Sequence, residues 1–192
     1  MANYGLITGS TIVCFNMKKL LILLLLFVGF IGSTYAADSD INLKKLQTLK
    51  ACKACDLSNI EYILSLDIEN VNLSYANLSN SNFLLGRLKE ANFKEATLIN
   101  TVFMGTYIPM ADFSNSNLVG SHFSDAILFL TNFNNADLDG AIFRSSNLNY
   151  VNFSNANLSN VIFHDSTLEG ANMDGAIFCN TRTPWGIDNS GC

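Results

Sequence analysis

Every fifth residue from Leu73 to Phe178 is large and apolar, and the register never slips. The series runs Leu73, Leu78, Phe83, Leu88, Phe93, Leu98, Phe103, Ile108, Phe113, Leu118 and Phe123, then Leu128, Phe133, Leu138, Phe143, Leu148, Phe153, Leu158, Phe163, Leu168, Met173 and Phe178, 22 consecutive positions. A period of five matches neither the 3.6 of a helix nor the 2 of a strand. A short unbroken period marks a repeat architecture, which decides the fold class before any other feature. Two residues before almost every large side chain stands a small one, as in Ala76, Ser81, Gly86, Ala91 and Ala96. Residues two apart on extended backbone point to the same side, so both face the interior. The residue between them is mostly Asn or Asp and faces out. The two that close each unit are mostly Ser, Asn, Asp, Gly, Lys or Glu, the chemistry of turns. Each pentapeptide therefore reads as one very short strand followed by one turn.

Such a unit cannot bury its large side chain alone, so coils must stack into a solenoid. Phe holds every other central position from Phe83 to Phe163, with Leu or Ile between. Like stacks on like only if a coil holds an even number of units, and two units leave no room for a pair of Phe rings. Four units per coil, 20 residues, place Phe83, Phe103, Phe123, Phe143 and Phe163 in one ladder and Phe93, Phe113, Phe133 and Phe153 in the opposite one. At about 4.8 Å per coil the 22 units build a prism roughly 26 Å tall. Each buried Leu or Phe contributes on the order of 1.5–3 kcal/mol, enough in sum for a stable core.

Stretches such as Ala76-Asn77-Leu78-Ser79-Asn80, Ala136-Asp137-Leu138-Asp139-Gly140 and Ala156-Asn157-Leu158-Ser159-Asn160 resemble the A-(D/N)-L-x-x motif of the pentapeptide-repeat family. The resemblance covers over half of the chain. It implies an all-β, right-handed quadrilateral parallel β-helix, a hand consistent with that of parallel crossovers generally.

The amino-terminal third has another character. Lys18 and Lys19 precede an apolar run, Leu20 to Ile31, and then Gly32-Ser33-Thr34-Tyr35-Ala36, with no acidic residue before Asp38. This pattern predicts a signal peptide over 17–36, cleaved before Ala37, with Met17 as the natural start and residues 1–16 as a mis-called extension. The apolar core of 12 residues is short of the roughly 20 that span a bilayer, so no membrane span is expected after cleavage. Export to the periplasm of a bacterial cell, or secretion, follows. Cleavage leaves 9 basic against 16 acidic residues, and no basic patch suited to nucleic acid.

Four cysteines remain after cleavage: Cys52, Cys55, Cys179 and Cys192. They allow three connectivities and read as staples in an oxidising compartment. Cys52 and Cys55 could instead form a redox-active pair. A zinc site of all four is excluded by their position at opposite ends of the stack. The tail resembles one found on exported pentapeptide-repeat proteins, which implies the pairs Cys52–Cys55 and Cys179–Cys192.

Asp38 to Lys50 carries Leu43, Leu46 and Leu49 at helical spacing and is expected as a capping helix over the first coil, so that residues 37–56 form a cap with the Cys-x-x-Cys. Leu57 to Leu73 is one residue more than a multiple of five, so residues 57–72 are expected as an irregular first coil, with the slip in Ile60 to Ile68. The regular β-helix is expected over 73–180. Residues 181–192, with Pro184-Trp185-Gly186, are expected as a cap loop in which Trp185 packs on the last coil.

No catalytic, cofactor or metal constellation stands out. His122 and His164 sit at outward positions two coils apart, and Asp137 and Asp139 flank Leu138 with neither a cleft nor a partner His. The sequons at Asn72, Asn77, Asn152 and Asn157 are by-products of the repeat. One region departs from the rule that outward positions are polar. Stacked at 20-residue intervals, Pro109, Met110, Phe129, Leu130 and Tyr150 share one corner and Leu84, Leu85 and Met104 the next, with Tyr107 and Ile127 on the face between. Val102, Ile142 and Ile162 lie on the adjoining face, and a ladder of Asn72, Asn92, Asp112, Asn132, Asn152 and Asn172 on the opposite side. An exposed apolar patch several coils tall marks an interface, for a protein partner or for self-association, unless an earlier segment of the chain covers it. The leading reading is a non-catalytic, exported structural or interaction module. The alternative from the family is a DNA-mimicking protein that binds topoisomerases. Export and a net charge of only −5 over residues 71–178 argue against it.

Overall fold

The computed structural model describes residues 51–60 and 67–192, which form a four-sided coil of stacked pentapeptides. Up to residue 180, each unit contributes one bridge residue and a two-residue turn rather than a strand of any length. Bridges are parallel and join residues 20 apart, as Asn92 to Asp112 and Asp112 to Asn132, so four units make one coil. The first face carries Phe83, Phe103, Phe123, Phe143 and Phe163, and the second Leu88, Ile108, Leu128, Leu148 and Leu168. Leu73, Phe93, Phe113, Phe133, Phe153 and Met173 lie on the third face. Leu78, Leu98, Leu118, Leu138, Leu158 and Phe178 lie on the fourth. Each corner is numbered by the face it follows.

Backbone groups are satisfied between coils. Phe93 N–H donates to the Asp112 carbonyl above (2.7 Å), and Asp112 N–H donates to the Ala91 carbonyl below (2.9 Å). Within the turn, Ala96 N–H donates to the Phe93 carbonyl (3.0 Å). The ladder therefore consumes the polar backbone that burial would otherwise penalise. Inside, Phe rings of one face stack nearly parallel at centroid spacings of 4.7 to 5.4 Å. The two ladders meet edge to face across the core, at 5.7 to 6.3 Å. Both geometries suit the ring quadrupole. Several small positions that carry a hydroxyl turn it onto a carbonyl of the coil below, as Thr131 Oγ1 does to Ile108 (3.0 Å) and Ser146 Oγ to Phe123 (2.7 Å), while Thr106 and Ser116 bond a carbonyl of their own coil.

Among the described residues the stack runs from Ala51, not from residue 73. Ala51 bridges Asn72 and Asp56 bridges Asn77, both 21 apart, whereas Asp67 bridges Arg87 at the regular 20. Asn82 N–H still bonds the Ile60 carbonyl in the shifted register, so the extra residue falls between Ile60 and Asp67. A one-residue insertion displaced two regular units, centred on Cys52 and Leu57, from the count of fives. The expected helix at Asp38–Lys50, the signal peptide and residues 1–16 lie outside the described residues, as do 61–66 of the expected irregular coil.

At the other end the coil runs on past residue 180. β1 (Thr181–Thr183) supplies a final unit, with Arg182 bridged to Ile162, and β2 (Gly186–Asp188) folds back antiparallel on it. Trp185 stands at the hairpin turn and is 68% exposed, so it does not pack on the last coil as expected. The hairpin's short turn carries it past the edge of the prism. Cys52 pairs with Cys55 and Cys179 with Cys192.

Candidate functional site

The two residues of each turn are not equivalent. The first is buried or half-buried in most units. The second has a left-handed backbone in every described unit up to residue 180. L side chains other than Asn, Asp and Gly pay for that conformation. At the fourth corner the second position is accordingly Asn59, Asn80, Asn100, Gly120, Gly140, Asn160 and Asn180. The rule is broken by Ala54, Tyr75 and Glu95 on the third corner, and by a cluster of large apolar side chains on either side of the second face. Leu85 (φ 58°) holds this position on the first corner, and Met110 (58°), Leu130 (60°) and Tyr150 (58°) hold it on the second.

These four side chains are 45 to 55% exposed, and Ile127 on the face between them is 43% exposed. Leu84, Met104, Tyr107 and Phe129 are half-buried and complete the surface. Pro109 departs from the expectation and is buried. The ring of Tyr150 meets Phe129 edge to face at 5.7 Å. Below, the patch is bounded by paired charges: Arg87 bonds Glu69 at 2.9 Å and stands 5.1 Å from the Tyr107 ring, and Lys89 lies 3.2 Å from Glu90. The asparagine ladder occupies the third face. It is opposite the first face and adjoins the patch across the second corner, so it is not opposite the patch.

The remaining candidates are not brought together. His122 is half-buried on the first face, with Nε2 2.8 Å from Ser124 Oγ. Burial, and then the Arg144 cation, lower its pKa from the ordinary value. His164 is exposed at the first corner, two coils away, beside Asp165 at 3.2 Å. Asp137 accepts from the Asp139 N–H and the Asn157 amide, and Asp139 from the Asn160 amide, so both carboxylates brace the coil. Cys52 and Cys55 are 8% and 3% exposed, the first in a central position and the second in a small one. The disulfide thus closes a corner from inside, sheltered from the exchange partners a redox pair must reach. Among the described residues no group of three or more His, Cys, Asp or Glu could hold a metal.

The outward Asn and Asp residues do more than face solvent. In unit after unit the side-chain oxygen accepts from the N–H two residues on, as Asn72 does from Ser74 (3.1 Å) and Asp112 from Ser114 (2.9 Å). This local bond fixes the turn. It also engages the asparagines of all four sequons. The signal was legible as Asn or Asp before most of the large residues. Likewise, the Asn and Gly at the second turn position announced the left-handed corner.

Two family models match the chain: pentapeptide repeat region, over residues 86–153, and pentapeptide repeats (8 copies), over residues 146–182. Among solved structures the chain is 21% identical to HetL, a pentapeptide repeat protein involved in heterocyst differentiation regulation from the cyanobacterium Nostoc. That match covers 71% of this chain and 75% of HetL, with a TM-score of 0.33. A pentapeptide repeat protein from the Arabidopsis thaliana thylakoid lumen is 23% identical over 70% of this chain and 71% of its own, with a TM-score of 0.34. QnrB1, a plasmid-mediated fluoroquinolone resistance protein, is 18% identical over 58% of this chain and 69% of its own, with a TM-score of 0.39. No curated protein matches the chain.

Proposed function

The chain belongs to the pentapeptide-repeat family, and we propose that it serves as an exported, non-catalytic module that docks a protein partner, or a second copy, through the apolar surface around its second face. One observation carries this reading: Leu85, Met110, Leu130 and Tyr150 are exposed at left-handed positions. Each costs conformational energy and still leaves about half of its surface exposed, so four of them on adjoining corners favour a role beyond folding. Interfaces reward exposed aromatic and Met side chains on a rigid scaffold. Export is supported by the signal-like pattern over 17–36 and by two disulfides within the described residues. The DNA-mimic reading finds less support. Asp112 and Asp137 sit in ladders between neutral Asn or Thr residues and accept amide hydrogen bonds from Asn132 and Asn157.

The test is fractionation of the native host, with crosslinking, for the natural chain and for the Met110→Asn/Leu130→Asn variant. Asn suits the left-handed backbone, so the variant keeps the fold while losing the patch. Crosslinked species in an exported fraction that vanish in the variant support the proposal. Unchanged crosslinking would end it.

A further inference from the structure

In the register of the coils, the apolar residues around the second face form one stripe that climbs diagonally. It starts at the first corner with Leu84 and Leu85, with Met104 one coil above them. It crosses the face through Tyr107 and Ile127 and ends at the second corner with Leu130 and, one coil higher, Tyr150. From the coil of Leu85 to that of Tyr150 it rises roughly 14 Å, at about 4.8 Å per coil. Leu85 and Tyr150 press on Gly105 and Gly170 of the coils above, so both ends of the stripe are set in place before any partner arrives.

The corner positions beside the stripe carry charge. Along its upper half the first corner holds Asp125 and Arg144, and along its lower half the second corner holds Lys89 and Glu90. Asp125, Arg144 and Glu90 are exposed and Lys89 is half-buried. Each flank therefore offers one charge of either sign.

These flanks decide how two such surfaces can meet. Side by side and parallel, two copies would set Leu85 on Glu90, Leu130 on Asp125 and Tyr150 on Arg144, because each of these pairs shares one coil. Antiparallel copies centred on the patch would set Leu85 on Arg144 and Tyr150 on Glu90. Both arrangements bury charge against apolar surface, which is costly. A two-fold axis along the stripe crosses the copies at a steep angle instead and lays stripe on stripe. The same rotation exchanges the flanks, so that Asp125 of one copy faces Lys89 of the other and Arg144 faces Glu90. An axis across the stripe would set each flank on its own copy, with Asp125 near Asp125.

We propose that the partner of this surface is a second copy of the chain, crossed on it about the axis along the stripe. Such a contact is isologous and closes at a dimer. Aromatic and Met side chains form its centre and opposite charges its rim. The inference rests on the reading that the patch docks a protein, and it adds which protein and in what orientation.

Sedimentation equilibrium of the natural chain, beside the crosslinking in the native host, is the test. A dimer is expected, and Met110→Asn/Leu130→Asn should leave a folded monomer. Arg144→Glu should weaken association about tenfold, because the change acts twice across the axis. Arg144→Glu/Glu90→Arg should recover it. Both sites are exposed, so folding is little affected. A natural chain that stays monomeric throughout the accessible range overturns the second copy. In that event the docking reading stands if host crosslinks still vanish in the Met110→Asn/Leu130→Asn variant, and falls if they do not. A dimer indifferent to Met110→Asn/Leu130→Asn, or one that Glu90→Arg fails to restore, overturns the crossed arrangement.

Discussion

The ring of Tyr150 presses one side against Gly170 in the coil above, so close that a Cβ at Gly170 would meet two ring carbons at 2.6 Å. Leu85 leans on Gly105 in the same way, with Cδ2 at 2.7 Å. These two large side chains at left-handed corners are thus accommodated by glycines one coil further on. Gly170→Ala should destabilise by about 1–2 kcal/mol, from a left-handed Ala (φ 66°) and a displaced ring. Chemical denaturation of Gly170→Ala, alone and with Tyr150→Asn, measures both parts. The second change should recover the steric part, and equal losses in both backgrounds would show that the ring does not rest there.

A second consequence concerns the patch. Replacing Leu130 or Met110 with Asn exchanges a disfavoured left-handed residue for a tolerated one and removes little burial. Each should raise stability by about 1 kcal/mol, read as a higher denaturant midpoint at constant slope. Loss of stability in both would mean that these side chains are held by packing within the fold.

Much of this architecture is legible in the fives, because a central residue such as Phe123 cannot leave the interior without slipping every neighbour. The alternation of Phe with Leu or Ile gives the coil size for a similar reason: rings 20 residues apart must stack. The first coil escapes because one inserted residue between Ile60 and Asp67 breaks the count, although Cys52 and Leu57 are themselves five apart. The burial of Pro109 and the exposure of Trp185 escape for another reason. They depend on how deeply a turn residue is set and on where a hairpin points, and neither is a property of periodicity. The candidate interface was readable as a list of outward apolar residues, but the left-handed backbone that makes them costly was not drawn from it.

Ser121 is buried at a small position, and its hydroxyl has no hydrogen-bond partner among the described residues, unlike that of Thr131 on the opposite face. An unsatisfied buried hydroxyl costs roughly 1–3 kcal/mol. Ser121→Ala should therefore be neutral or stabilising, while Thr131→Ala should lose about 1 kcal/mol or more, with its bond to Ile108. Parallel denaturation curves decide the matter. Similar losses for both would show that Ser121 is bonded after all.

The pH dependence of stability should carry a contribution from His122. Burial is the main cause of its lowered pKa, Arg144 adds to it, and Asp125 opposes. With the folded pKa below the unfolded value of about 6.5, the unfolded chain takes up its proton first as the solution is acidified. Stability from this group is complete above about pH 6.5 and declines as the pH falls, until the folded ring is protonated too. His122→Gln keeps a polar group near Ser124 and removes the titration. Between pH 7.5 and 5.5 the natural chain should lose more stability than the variant, since the carboxylates common to both contribute equally. A ring titration by NMR with a midpoint at or above 6.5, or identical pH profiles for the two proteins, would show that burial on the first face does not govern this histidine.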